Sequence, residues 1–163
     1  MKHLSVRTVA LGGVLSALIM LATAILKIPL PIPNGYVHLG DAAIFAAAVV
    51  VGPFAAVSAG LGSALADLIS GYGQYALATF LIKFSMGLLA GYVLTRKPTL
   101  SMPVVGLLFA ACEAIMVVGY LVFETFLYGF AAALGAVPFN AMQGVAGIVL
   151  GVAILPIIRR LRV

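Results

Sequence analysis

The chain has 163 residues, of which 64% are hydrophobic and 8% charged, with nine Lys and Arg against four Asp and Glu. Soluble domains draw about a quarter of their residues from the charged set, so this composition excludes a soluble globular protein and describes an integral membrane one. The net charge of +5 does not point to nucleic acid, because the basic residues gather at helix ends, the pattern that sets orientation in a membrane.

Six helical segments follow from the apolar runs and their Pro and Gly punctuation. The first spans about Ser5 to Ile28 and stops at Pro29, Pro31 and Pro33, which cannot continue a helix. Lys2, His3 and Arg7, an apolar run and Ala22-Thr23-Ala24 have the outline of a signal peptide. The apolar run is long for one, and the segment is taken as a membrane helix. The Pro-rich stretch up to Gly40 is expected to form an extended outer loop.

The second helix spans about Gly40 to Val51 and ends at Gly52-Pro53, a capping glycine followed by a first-turn proline. It is short for a membrane span. The third covers about Pro53 to Ser70, the fourth Tyr75 to Thr95, the fifth Pro103 to Tyr128 and the sixth Pro138 to Ile158. The remaining outer connections are residues 71–74 and 129–137. Helices are the open-chain solution in lipid, which offers backbone amides no partner. The expectation is one transmembrane domain over residues 1–163, an all-α bundle of six spans.

Charge orients it. With six spans Lys2, Arg7, Arg96, Lys97, Arg159, Arg160 and Arg162 share one side, seven of the nine Lys and Arg residues. That side is read as cytoplasmic, giving an N-in, C-in topology. Asp41 then opens the second helix at the outer face, Asp67 lies near the outer end of the third, and Lys83 sits about two turns into the fourth. Glu124 falls in the outer turns of the fifth, Asn140 and Gln143 in the first outer turns of the sixth, and Glu113 near the midplane.

Helical spacing puts Gly60, Ser63 and Asp67 on one stripe, Lys83, Gly87 and Gly91 on another, and Asn140, Gly144, Gly147 and Gly151 on a third. On the fifth helix Gly106, Ala110, Glu113, Val117, Tyr120 and Glu124 alternate by threes and fours. Small residues mark helix contacts, so these charges face protein rather than lipid. Two readings are open. Asp67 and Lys83 could be a structural ion pair between neighbouring helices. Alternatively Asp41, Asp67, Lys83, Glu124, Asn140 and Gln143 line a solute pocket open to the outside, with Tyr36, Tyr72, Tyr75, Tyr120 and Tyr128 as flat walls.

Other chemistries are not visible. Cys112 is alone in a helix and reads as packing. Gly60-Leu61-Gly62 is helix packing rather than a phosphate loop. His3 and His38 fall on opposite faces, so no metal site is expected, and no histidine is expected at pocket depth for nucleophilic catalysis. No cofactor is expected.

His38-Leu39-Gly40-Asp41-Ala42, a short helix closed by Gly52-Pro53, the run from Gly60 to Asp67, and Lys83 ahead of a glycine-rich stretch resemble the substrate-binding S components of energy-coupling factor (ECF) vitamin transporters. The resemblance implies a multi-pass protein of the bacterial cytoplasmic membrane that binds a vitamin or precursor from outside. It also implies docking on a transmembrane scaffold driven by two ATPase subunits, and toppling in the membrane to release the solute. The family's first helix meets the scaffold through an Ala-xxx-Ala motif; Gly13-xxx-Ala17, with Ala10 and Ala24 on the same stripe, stands in that place here. Lys2 occurs where metal-transporting members carry histidine, and the chain lacks the tryptophan of thiamin-type sites. The closest likeness is to the branch for hydroxymethylpyrimidine, pyridoxine-like compounds or riboflavin. The other reading is a self-sufficient secondary transporter using Glu113 or Asp67 as a proton relay, with a membrane enzyme behind it.

Overall fold

The computed structural model of the chain describes residues 5–29 and 36–161. Lys2, His3, Pro31, Pro33 and Arg162 lie outside the described residues. Six α-helices carry the fold: α1 (Val6–Ala24), α2 (Gly40–Val51), α3 (Ala55–Ile69), α4 (Ala76–Arg96), α5 (Met102–Tyr128) and α6 (Phe130–Leu161). Between α1 and α2, β1 (Lys27–Pro29) pairs antiparallel with β2 (Tyr36–His38).

Two boundaries differ most from the sequence expectation. The first helix ends at Ala24 rather than Ile28, because the following backbone pairs with β2 in the register Lys27 to His38. Those three-residue strands are the exception to an all-helical fold among the described residues. The sixth helix begins at Phe130, so Pro138 lies inside it instead of opening it. The outer connection expected over residues 129–137 shrinks to Gly129, whose φ of 85° lets α5 turn sharply into α6.

The contacts of α4 fix the direction of its neighbours. Asp41 at the start of α2 pairs with Lys83, and Gly52 at its end lies against Gly91 and Thr95. The chain then returns: Ala55 lies against Gly87, and Gly60 against Phe80. The reversal turns on Gly52, at φ 58° and ψ −137°, followed by a 3-10 turn over Gly52–Phe54. Among the described residues, five stretches are long and apolar enough to cross a membrane, and residues 40–69 count as one of them by length. Their course nonetheless makes α2 and α3 two antiparallel arms. At 1.5 Å per residue α2 is about 18 Å long, less than the ~30 Å of a hydrocarbon core.

Close approach of these arms depends on α4 having no side chain where they cross it. A Cβ on Gly87 would stand 2.6 Å from the Ala55 carbonyl oxygen, and one on Gly91 would strike the Gly52 carbonyl. The fully buried core forms beside this seam, with Phe45 stacked on Phe109 at 3.8 Å and Ile44, Met86, Met116 and Leu155 around them. On α5 the buried stripe is Val105, Phe109, Cys112, Glu113 and Met116. Ala110, expected on it, is exposed. Outward surfaces are apolar too, with Leu77, Leu107 and Phe126 each more than two-thirds exposed, as a lipid-facing wall is.

Arg7, Arg96, Lys97, Arg159 and Arg160 come to one end of the bundle. Ser58 donates to the Gly12 carbonyl at 2.9 Å, tying the start of α1 to the turn after Gly52, and Arg159 donates to the Leu100 carbonyl at 3.2 Å. The β-strand pair lies at the other end.

Candidate substrate pocket

At the end away from those basic residues, α1, α3, α4, α5, α6 and β2 surround a cavity of about 260 Å³. Its floor is built on one ion pair. Lys83 is 3% exposed and pairs with the fully buried Asp41, while its ammonium also stands 2.9 Å from the Met116 sulfur. Gln143 secures the other carboxylate oxygen: its amide nitrogen donates to Asp41 Oδ2 at 2.7 Å and to the His38 carbonyl at 3.1 Å. Its amide oxygen accepts the His38 backbone N–H at 2.9 Å. One glutamine thereby ties the strand before α2 to the buried pair. Gly40 permits this closure, because a Cβ there would run into Thr23 and His38.

The walls are of a different kind. Tyr75 donates to Glu124 at 3.3 Å, and the hydroxyls of Thr79 and Tyr120 share a hydrogen bond of 3.0 Å. The Tyr75 ring stands 6.4 Å from Tyr72, 6.3 Å from Tyr120 and 5.4 Å from Phe123. Four lining residues keep a buried polar atom with no partner: Thr23 Oγ1, Asp67 Oδ2, Glu124 Oε2 and Asn140 Nδ2. Buried polar groups are almost always satisfied, so these four atoms leave the cavity with unused donors and acceptors.

Of the expected pocket residues, Asp67, Lys83, Glu124, Asn140, Gln143, Tyr72, Tyr75 and Tyr120 line the cavity. Asp41 opens the second helix, as expected, but it is fully buried against Lys83 and Gln143 and is not part of the lining. The partner of Lys83 is Asp41 rather than Asp67. Asn140 and Gln143 lie ten or more residues into α6 rather than in its first turns. Tyr128 lies tilted beside Tyr75, with ring centroids 6.4 Å apart, but is not part of the lining. Tyr36 belongs to β2, and its side chain lies outside the described residues.

His38 does reach pocket depth, contrary to expectation, and it lines the cavity with Thr23, Ser63, Thr79 and Met116, beside the expected Tyr120. For Ser63 the helical spacing that placed it on the Asp67 stripe was the available signal. Nothing in the local sequence pointed to Thr23 or Met116. On α1, Gly12, Ile19 and Ala22 are buried, while Ala10, Gly13 and Ala17 are exposed and Ala24 partly so. A Cβ on Gly13 would meet nothing within 4 Å.

A bundle walled with apolar side chains, holding one polar cavity of ligand size at one end, defines a multi-pass membrane protein of the solute-handling class. The family of ECF-type riboflavin transporter S components matches residues 3–160, and the chain belongs to that family. It is therefore a transporter component and not an enzyme. It is 33% identical over 134 residues to an uncharacterised protein of Pyrococcus woesei, covering 82% of this chain and 88% of the other. It is 28% identical over 162 residues to the thiamine precursor transporter HmpT of Lactococcus lactis subsp. cremoris, covering 98% of this chain and 92% of that one.

Proposed function

We propose that this S component binds a small vitamin precursor with a single basic heteroaromatic ring, best represented by hydroxymethylpyrimidine, and delivers it through an ATP-driven ECF module. The observation that carries this reading is the set of unpartnered groups facing one cavity. Lys83 is neutralised from below by Asp41, so the charges left to the cavity are the carboxylates of Asp67 and Glu124. A ligand that donates, such as a ring amine or protonated ring nitrogen, suits them, and charge-assisted hydrogen bonds of this kind are the strong ones. Tyr72, Tyr75 and Tyr120 supply faces and edges for the ring. Asn140 and Thr23 suit a hydroxymethyl group.

Size supports one kind of ligand within the branch. Pockets for drug-sized ligands run from ~300 to ~1,000 Å³, and this one, about 260 Å³, falls below them. That favours one ring over a three-ring flavin with its sugar-alcohol chain. A B6 vitamer is the next best fit. The similarity to a thiamine precursor transporter supports the pyrimidine.

In the same reading α2 and α3 are separate arms of a six-span, N-in, C-in bundle in the cytoplasmic membrane, with the pocket opening outward. The exposed face of α1 at Ala10, Gly13 and Ala17, with Ala24 at its edge, docks on the transmembrane scaffold, which two ATPase subunits drive. Mass spectrometry of the small molecule that co-purifies with the detergent-solubilised protein tests the ligand. A pyrimidine or pyridine of one ring is expected, and a flavin or a metal ion overturns the assignment.

One observation favours a second reading. Glu113 is 4% exposed, has no hydrogen-bond partner on either carboxyl oxygen, and fits a slot formed by Gly144 and Gly147. A buried acid inside a membrane bundle is the usual equipment of proton-coupled carriers. Uptake that requires the ATPase module supports the S-component mechanism; uptake that persists without it and collapses with the proton gradient supports the carrier.

A further inference from the structure

At the basic end, α2, α4, the α4–α5 connection and α6 enclose a second cavity of about 140 Å³, lined by Val49, Leu94, Pro98 and Arg159. Arg159 is only partly exposed and is held in place: its Nη1 donates to the Leu100 carbonyl at 3.2 Å and approaches the Met102 sulfur at 4.0 Å. Its Nη2 is buried and has no partner. A guanidinium presents five donors and cannot shed its charge, so an unpaired buried nitrogen on it calls for an acceptor.

The chain has no acidic side chain to supply one. Its four Asp and Glu residues are Asp41, Asp67, Glu113 and Glu124, and the nearest along α6 is Glu113, which rests against Gly147. From Gly147 to Arg159 is twelve residues, about 18 Å of helix. The Phe45–Phe109 stack, against which Gly151 packs, lies between them. Arg96, Lys97 and Arg160 add further positive charge at this end.

We propose that Arg159 and this cavity form a site for a phosphate group. The fork of a guanidinium matches phosphate oxygens. The remaining lining is apolar, with Val49 and Leu94 buried, which suits the glycerol and first acyl carbons of a phospholipid. Basic pockets between membrane helices hold anionic headgroups in this way. The phosphate is carried by an anionic lipid or is free, and the two sources separate by experiment.

The full chain in detergent is incubated with phosphatidylglycerol or phosphatidylcholine, and retained lipid is counted by native mass spectrometry. Phosphatidylglycerol is retained over phosphatidylcholine, and Arg159→Gln lowers its retention about tenfold, the loss of one hydrogen bond to a charged group. Arg160→Gln, an exposed neighbour, leaves it unchanged. Displacement by excess inorganic phosphate identifies a free-phosphate site; resistance to it identifies the headgroup. If Arg159→Gln does not fold, Arg159→Lys keeps the charge but loses the fork, and a several-fold loss is expected. Equal retention by wild type and either Arg159 variant, or equal losses at Arg159 and Arg160, overturns the proposal in favour of general surface charge.

Discussion

Lys83 and the pocket carboxylates make opposite predictions, because one charge is paired and the others are not. Removing one partner of a buried ion pair costs about 3–5 kcal/mol, since the other is left buried and uncompensated. Lys83→Met should therefore lower the unfolding temperature sharply, and adding Asp41→Asn should restore much of it. Adding Asp67→Asn should not, because Asp67 is not the lysine's partner. Thermal unfolding of the three proteins in detergent checks this, and rescue by Asp67→Asn would restore the pairing expected from sequence. Asp67→Asn and Glu124→Gln alone should leave stability unchanged or raise it, while weakening hydroxymethylpyrimidine binding by about tenfold to a hundredfold, the effect of ~1.5–3 kcal/mol for a hydrogen bond to a charged group. Stability and affinity falling together in these variants would make the carboxylates structural.

The helices show where sequence suffices and where it does not. Most were legible from apolar runs punctuated by Gly and Pro, and α2 and α5 begin and end within a residue of expectation. The start of α6 was hidden because Pro138 looks like a first-turn residue, yet here the helix passes through it. The strand pair was hidden because three residues are too few to display an alternating pattern. Depth counted along the chain put Asp41 in the pocket lining, whereas it is fully buried against Lys83 and Gln143. The charged and tyrosine residues of the pocket were legible as intramembrane polarity, but Thr23 and Met116 gave no such signal. The glycine stripes yield a prediction. Gly87→Leu should destabilise by about 1–3 kcal/mol or more, because it overpacks against backbone that cannot turn aside. Gly13→Leu, on the open face of α1, should leave melting temperature and ligand affinity unchanged while abolishing scaffold pull-down and uptake. Loss of ligand binding in Gly13→Leu would mean that this face packs inside the bundle.

For the whole molecule, the polar pocket and the basic residues occupy opposite ends, and that polarity sets the proposed topology. With Cys112 replaced by Ala, single cysteines at Gly73 and Ala132 should react with an impermeant thiol reagent in intact cells, and one at Thr99 should not. External labelling at Thr99 would invert or break the six-span arrangement. The central claim is that the cavity takes one basic ring although the family is named for a flavin. It is tested most directly by calorimetric titration of the purified, ligand-stripped protein with hydroxymethylpyrimidine and with riboflavin under the same conditions. Saturable binding of the pyrimidine, with riboflavin binding far more weakly or not at all, is the predicted result; tighter binding of riboflavin would contradict it.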